Sequence, residues 1–226
     1  MSVLKVYFIR HGLTDRNQKG RCCGRTNALV SEEGREALKE LRDQYQYPEV
    51  EKVYASPAIR CQETASIFFP NQEPELLEGF WEYDFGRAED QHVSELAKLP
   101  VYEKWLLQAP DCMFPGGETL LEAKFRVQAA MTRLVKDCID RGLNEVAVIA
   151  HGEILSLLMS ACLITEEPAE AFLLCPNGMG YVAVLEKDTW FEEQKMYFDG
   201  YLPKGAVRPK AEDSPYFMKP SKAKKD

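Results

Sequence analysis

The chain has 226 residues, of which 45% are hydrophobic and 28% charged, and a formal net charge of −8. That length suits one sizeable core at the usual ~100–200 residues per domain, and the acidic balance disfavours a general nucleic-acid binder. The longest apolar runs, VYFI, VAVIA and ILSLLM, fall far short of the ~20 residues that span a bilayer. Met1 to Lys5 leads into a strand without a charged n-region or cleavage site, so no membrane partner and a cytoplasmic location are expected.

In chain order, VLKVYFI (3–9) predicts a first strand that runs straight into Arg10, His11 and Gly12. Ser31 is the expected cap of a helix with Leu38, Leu41 and Tyr45 on one stripe, stopping before Pro48. KVYAS (52–56) predicts the second strand. In SPAIR, Ser56 reads as an N-cap and Pro57 as the first helical residue of a helix that ends at Pro70. TLLE sets Thr119 and Glu122 as a capping box for a long helix running to about Gly142. EVAVIA (145–150) predicts a third strand, and an apolar helix follows His151. GYVAVLEKDTWFEEQKMYF reads as two further strands joined at Glu186 to Thr189.

This alternation predicts an α/β fold, a three-layer αβα sandwich with a mostly parallel central sheet. One domain is expected over residues 1–200. From Gly200 onward, four prolines, six lysines and one arginine against three acids predict a largely unpacked, flexible tail at 201–226. Docking of Tyr216 and Phe217, or a basic contact arm, are the other readings of that tail.

The seven cysteines, scattered without a CxxC pair or a histidine at zinc-ligand spacing, read as reduced thiols acting as small hydrophobes. Adjacent Cys22 and Cys23 would be redox-active only with a depressed pKa.

YFIRHG and AVIAHG both end a strand on His-Gly, and the chain has only three histidines. Ligands bind beyond the carboxyl ends of strands in open parallel sheets, so His11 and His151 are expected to face each other there. Residues 10–25 hold Arg10, Arg16, Lys19, Arg21 and Arg25 against the single acid Asp15. A small, highly charged anion such as phosphate fits them, and Gly12, Gly20 and Gly24 allow close backbone approach as a phosphate cradle requires. Arg60, in the first turn after the second strand, either meets that anion at the helix start or pairs with Glu63 or another surface carboxylate. LLEGFWEYDFGR sets Glu78, Glu82 and Asp84 among aromatic residues, where burial raises a carboxyl pKa and suits a proton donor; the composition does not choose among the three.

Together these stretches resemble the histidine phosphatase superfamily, the phosphoglycerate-mutase-like proteins, over roughly residues 3–198. RHGLTDRN is similar to its nucleophile motif, SPAIRCQETA to its S-x-x-x-R-x-x-x-T-A segment, EYDFG to its acid motif, PGGETL to its helix entry and VIAHGEIL to its second-histidine motif, all in family order. The resemblance implies that His11 accepts the phosphoryl group as phosphohistidine and that Arg10, Arg60 and His151 hold the phosphoryl oxygens. It also implies that Glu82 is the proton donor, that Asn17, Cys23 and Gly24 complete the substrate pocket, and that neither metal nor other cofactor takes part. Glu118 and Thr119 would be mainly structural. Leu13, and FGRAEDQH after Glu82, depart from the family pattern, and His92 is expected on the surface or in a lid.

Residues 87–116 lie where the family inserts a lid, and between Glu89 and Glu118 the only Lys or Arg residues are Lys98 and Lys104. A phosphoglycerate mutase would place an arginine pair there. The resemblance therefore points to a phosphomonoesterase for a small phosphorylated metabolite, close to the α-ribazole phosphatase and small broad-specificity phosphatase branch, as a monomer or homodimer. A mutase-type phosphotransferase and a non-catalytic phosphate-ligand sensor are the alternatives. A nucleotide-binding oxidoreductase lacks its GxGxxG motif here.

Overall fold

The first strand, β1 (Val3–Arg10), sends Leu4, Val6 and Phe8 into one apolar cluster and Tyr7 and Ile9 into another, as a strand covered on both faces must. The computed structural model describes residues 2–107, 109–172 and 175–208. After β1 come α1 (Asp15–Gln18), α2 (Glu32–Gln44), β2 (Lys52–Ala55), α3 (Ile59–Phe68) and β3 (Glu75–Leu76). The segment α4 (Val93–Leu96) and α5 (Pro100–Leu106) precedes the long α6 (Leu120–Arg141). The chain continues through β4 (Glu145–Ala150), α7 (Gly152–Cys162), β5 (Leu163–Ile164), β6 (Gly180–Glu186), α8 (Trp190–Glu193) and β7 (Met196–Leu202).

Among the described residues these strands form one sheet in the order β3-β2-β4-β1-β6-β7-β5. β3, β2, β4 and β1 run parallel; β6 is antiparallel to β1 and β7, and β5 is parallel to β7. Leu38 of α2 and Cys61, Ala65 and Phe68 of α3 cover one face, while Leu134 of α6, Leu155 and Leu158 of α7 and Trp190 of α8 cover the other. This is the three-layer α/β architecture expected from the alternation of strands and helices.

Ser31 caps α2 by accepting from Gly34 N, and Thr119 with Glu122 forms the capping box of α6, which Gly142 ends in the left-handed region at φ 70°. Three expectations change. Ser56 and Pro57 do not open α3: the helix begins at Ile59, Asn27 Oδ1 accepts from Ile59 N at 2.8 Å, and Ser56 is turned toward His151. The connection after β6 is not a plain turn at 186–189, because buried Trp190 starts the short α8 and donates to Thr132 Oγ1 at 3.1 Å. Packing also does not stop at 200. β7 reaches Leu202, and the Arg208 guanidinium lies 4.6 Å from the Tyr201 ring centre and donates to Gly180 O at 2.8 Å. Tyr216 and Phe217 lie outside the described residues.

Residues 89–93 pair with the loop after β1: Asp90 N donates to Cys22 O, Cys22 N to Gln91 O and Val93 N to Gly20 O. His92 is exposed there, bridged to Arg21. Phe85, Trp105 and Phe114 meet edge-on or tilted behind this segment, and Tyr102 packs on Trp105. No helix among the described residues is long and apolar enough to cross a membrane.

Candidate active site

Because β1 and β4 are parallel neighbours with Arg10 opposite Ala150, the residues that follow each strand emerge side by side. The His11 and His151 rings stand 5.1 Å apart, edge to face. A buried strand ends on charged and imidazole groups here because two such ends make one site.

His11 Nδ1 lies 2.8 Å from Gly12 O. A carbonyl only accepts, so Nδ1 carries the proton and Nε2 keeps its lone pair. Burial, then Arg60 and Arg10, hold the His11 pKa well below the ordinary histidine range. His151 is lowered in the same way, by burial first and Arg60 next. Both rings are neutral at pH 7. Arg60 Nη2 donates to His151 Nδ1 at 3.0 Å, so the proton of that ring sits on Nε2, 2.8 Å from Ser56 Oγ.

Arg60 is fully buried. Its Nη1 donates to Thr26 O at 2.8 Å, and its Nη2 to Gly24 O at 2.8 Å and Cys23 O at 3.2 Å. The alternative pairing with Glu63 does not form, since Glu63 accepts from Arg35 and from Val30 N. Arg10 donates to Cys175 O at 2.7 Å and lies against Gly152, where an added Cβ would come within 3.3 Å of its guanidinium. Arg10 Nε and Arg60 Nε are both buried and unpaired among the described residues. Two guanidiniums thus present unsatisfied donors beside a neutral imidazole, an arrangement suited to a tetrahedral oxyanion.

Glu82 is buried against the start of α7, with Oε1 accepting from Tyr83 N at 2.9 Å and Ile154 N at 3.2 Å and Oε2 from Glu153 N at 3.3 Å. Burial raises its pKa, outweighing these N–H groups, Arg60 and Arg10, which lower it. The carrying loop is clamped from behind: Arg126 donates to Gly79 O, Trp81 O and the Glu118 carboxylate, and Glu118 accepts from Asp84 N at 2.9 Å. Glu78, by contrast, accepts from the Trp81 indole, and Asp84 turns back to Gly86 N.

A model of the histidine phosphatase superfamily, branch 1, matches residues 6–194. The chain belongs to this superfamily. It is 27% identical over 179 residues to a probable phosphoglycerate mutase of Enterobacter sp. (strain 638), covering 77% of this chain and 82% of the relative. It is 26% identical over 157 residues to an uncharacterized phosphatase of Bacillus subtilis (strain 168), covering 69% and 75%. Among solved structures, the phosphoglycerate mutase of Bacillus anthracis str. Sterne superposes with a TM-score of 0.71 at 21% identity, over 82% of this chain and 89% of that one, a likeness of fold.

The other residues singled out in the sequence are placed as follows in this superfamily member. Of the cations in residues 10–25, Arg10 reaches the site, whereas Arg16 and Arg21 pair with Asp90 and Arg25 lies over Trp81 beside Glu118. The three glycines of this stretch lie close against other protein segments. A Cβ at Gly12 would strike Leu38, one at Gly20 would meet His92, and one at Gly24 would come within 2.1 Å of Tyr83 O. The Asn17 amide oxygen is held in the capping box of α1 by Thr14, fixing the loop after His11. Cys22 and Cys23 do not have depressed pKa values: burial pushes Cys22 up to about 12 and raises Cys23, and all seven cysteines are buried and unbridged.

Glu153 escaped the sequence reading, though a carboxylate one residue after His-Gly in an otherwise apolar run was the available signal. Burial and the nearby Glu82 push its pKa up to about 8. Below pH 4.5, where both folded and unfolded forms are protonated, its ionisation costs nothing; from there to about pH 8 the unfolded chain loses the proton first and stability falls. Glu153→Gln is therefore expected to raise the melting temperature at pH 8 more than at pH 5. Equal shifts at both pH values would contradict a raised Glu153 pKa.

Proposed function

We propose that the protein is a metal-independent phosphomonoesterase acting through a phosphohistidine on His11. The observation that carries this reading is a neutral imidazole with its Nδ1 proton fixed on Gly12 O and Nε2 left as a nucleophile, beside the guanidiniums of Arg10 and Arg60, whose Nε atoms are buried and unpaired among the described residues. Nε2 attacks phosphorus, the bond to the ester oxygen breaks, and Glu82 gives its proton to the departing alkoxide. Water then attacks the phosphohistidine, Glu82 takes a proton from it, and the N–P bond breaks to release phosphate. Arg10 and Arg60 stabilise charge on the transferring oxygens throughout, and neutral His151 orients Arg60.

A phosphatase is favoured over a mutase by the lack of an arginine pair across residues 87–116, and an α-ribazole phosphatase-like ester is the substrate class suggested by the sequence resemblance. The test is phosphate release from 4-nitrophenyl phosphate with EDTA present: the expected result is turnover that EDTA spares. Absence of turnover across many phosphoesters favours a phosphate-ligand sensor, and phosphoryl transfer between glycerates favours a mutase. Glu82→Gln is expected to slow alkyl phosphates by about a hundredfold or more and 4-nitrophenyl phosphate far less, since that leaving group scarcely needs a proton. Equal slowing of both would move the acid role elsewhere.

A further inference from the structure

Outside the machinery just described, one carboxylate occupies a site built for an anion. Glu89, from the segment that follows the Glu82 loop, accepts from three successive backbone N–H groups: Gly24 at 3.2 Å, Arg25 at 2.8 Å and Thr26 at 3.4 Å. It also accepts from Thr26 Oγ1 at 2.8 Å. Consecutive N–H groups converging on one anion form a nest, and here the protein supplies the anion itself. Gly24 is fitted to that occupant, since a Cβ there would lie 2.4 Å from Glu89 Oε1.

The opposite, carbonyl edge of the same loop is what holds Arg60. Gly24 and Thr26 each donate backbone N–H to Glu89 and accept at their C=O from the Arg60 guanidinium, and Cys23 O accepts as well. The loop is gripped from both sides, with Glu89 on one and Arg60, then His151 and Ser56, on the other. Without Glu89, three N–H groups lose their acceptor and the loop is free to turn, taking the carbonyls that aim Arg60 with it.

We propose that Glu89 is a positioning residue that sets Arg60 by filling the Gly24–Thr26 nest. Its effect on turnover rests on the phosphatase reading above; its effect on phosphate binding does not. The nest takes a carboxylate, so in Glu89→Ala a free carboxylate can take the same place.

The experiment compares wild type, Glu89→Ala and Glu89→Gln on 4-nitrophenyl phosphate, with sodium acetate or formate against sodium chloride at equal ionic strength. Phosphate binding is titrated by calorimetry in parallel, and circular dichroism reports folding. Glu89→Ala is expected to lose about tenfold to a hundredfold in kcat/KM, the scale of charged hydrogen bonds, and to weaken phosphate binding. Acetate or formate is expected to restore both in part, and to leave wild type unaffected. Glu89→Gln, whose amide keeps one accepting oxygen and fills the nest, is expected to lose less and to show no carboxylate response.

A folded Glu89→Ala with wild-type kcat/KM and phosphate affinity, or one impaired without any response to acetate or formate, overturns the proposal. If Glu89→Ala does not fold, Glu89→Gln decides: weaker phosphate binding supports the assignment and wild-type binding overturns it. If wild type itself turns over no ester, the phosphatase reading fails, and the calorimetric arm still tests the link between Glu89 and Arg60.

Discussion

His11→Ala is expected to reduce turnover of 4-nitrophenyl phosphate by about four orders of magnitude or more, the scale seen when a nucleophile is deleted. The thiol beside His151 is no replacement. Cys61 Sγ is 3.6 Å from His151 Nε2, but burial pushes that thiol up to about 12, far from the thiolate it would need to be. The substitution should leave the fold in place. His11 N donates to Ala150 O and His11 O accepts from Asn177, and neither bond uses the ring. The ring itself contributes one bond, to Gly12 O, so a stability change of about 1–2 kcal/mol is expected. Steady-state rates together with a thermal melt check this; a folded His11→Ala enzyme retaining a few per cent of wild-type kcat would contradict it.

Arg60→Lys is expected to cost both activity and stability, although charge is conserved. Arg60 spreads its donors over Thr26 O on one nitrogen and Gly24 O, Cys23 O and His151 Nδ1 on the other. A lysine ammonium is a single point and cannot reach both sets, so buried acceptors are stranded. Stranding them is worth about 2–3 kcal/mol of folding stability. Turnover should fall about a hundredfold or more, because the guanidinium that the proposed mechanism assigns to the transferring oxygens is also the one that steadies His151. Arg16→Ala, which removes a surface pairing with Asp90, is the matched control, expected within about 0.5 kcal/mol of wild type. Urea melts and kcat/KM measured on all three proteins decide it; an Arg60→Lys protein equal to wild type in both would show that the carbonyl contacts carry no weight.

What could be read in the sequence was local or repeated. The capping box of α6 lies within four residues, and the two His-Gly strand ends reveal themselves by repetition, which is why the sheet, the long helix and the histidine pair could be placed. What could not be read was pairing through space. A serine before a proline looks like a helix cap, and only the fold shows Ser56 given to His151, 95 positions away. The basic stretch after β1 looked like one anion cradle because its acid partners, Asp90 and Glu118, are distant in sequence. Arg208 sits in a stretch whose composition is that of a solvated tail, yet two tyrosine rings hold it to the sheet. Glu89 and Arg126 carry no local signature, since most of their partners are backbone atoms of other segments.

The most direct measurement is on the covalent intermediate. Enzyme mixed rapidly with a phosphate ester, quenched, digested under alkaline conditions that preserve phosphoramidates and analysed by mass spectrometry should yield a phosphorylated peptide whose acid-labile modification maps to His11. Phosphate found instead on another residue, or ester hydrolysis at full rate by the His11→Ala protein, would contradict a site built around His11 Nε2.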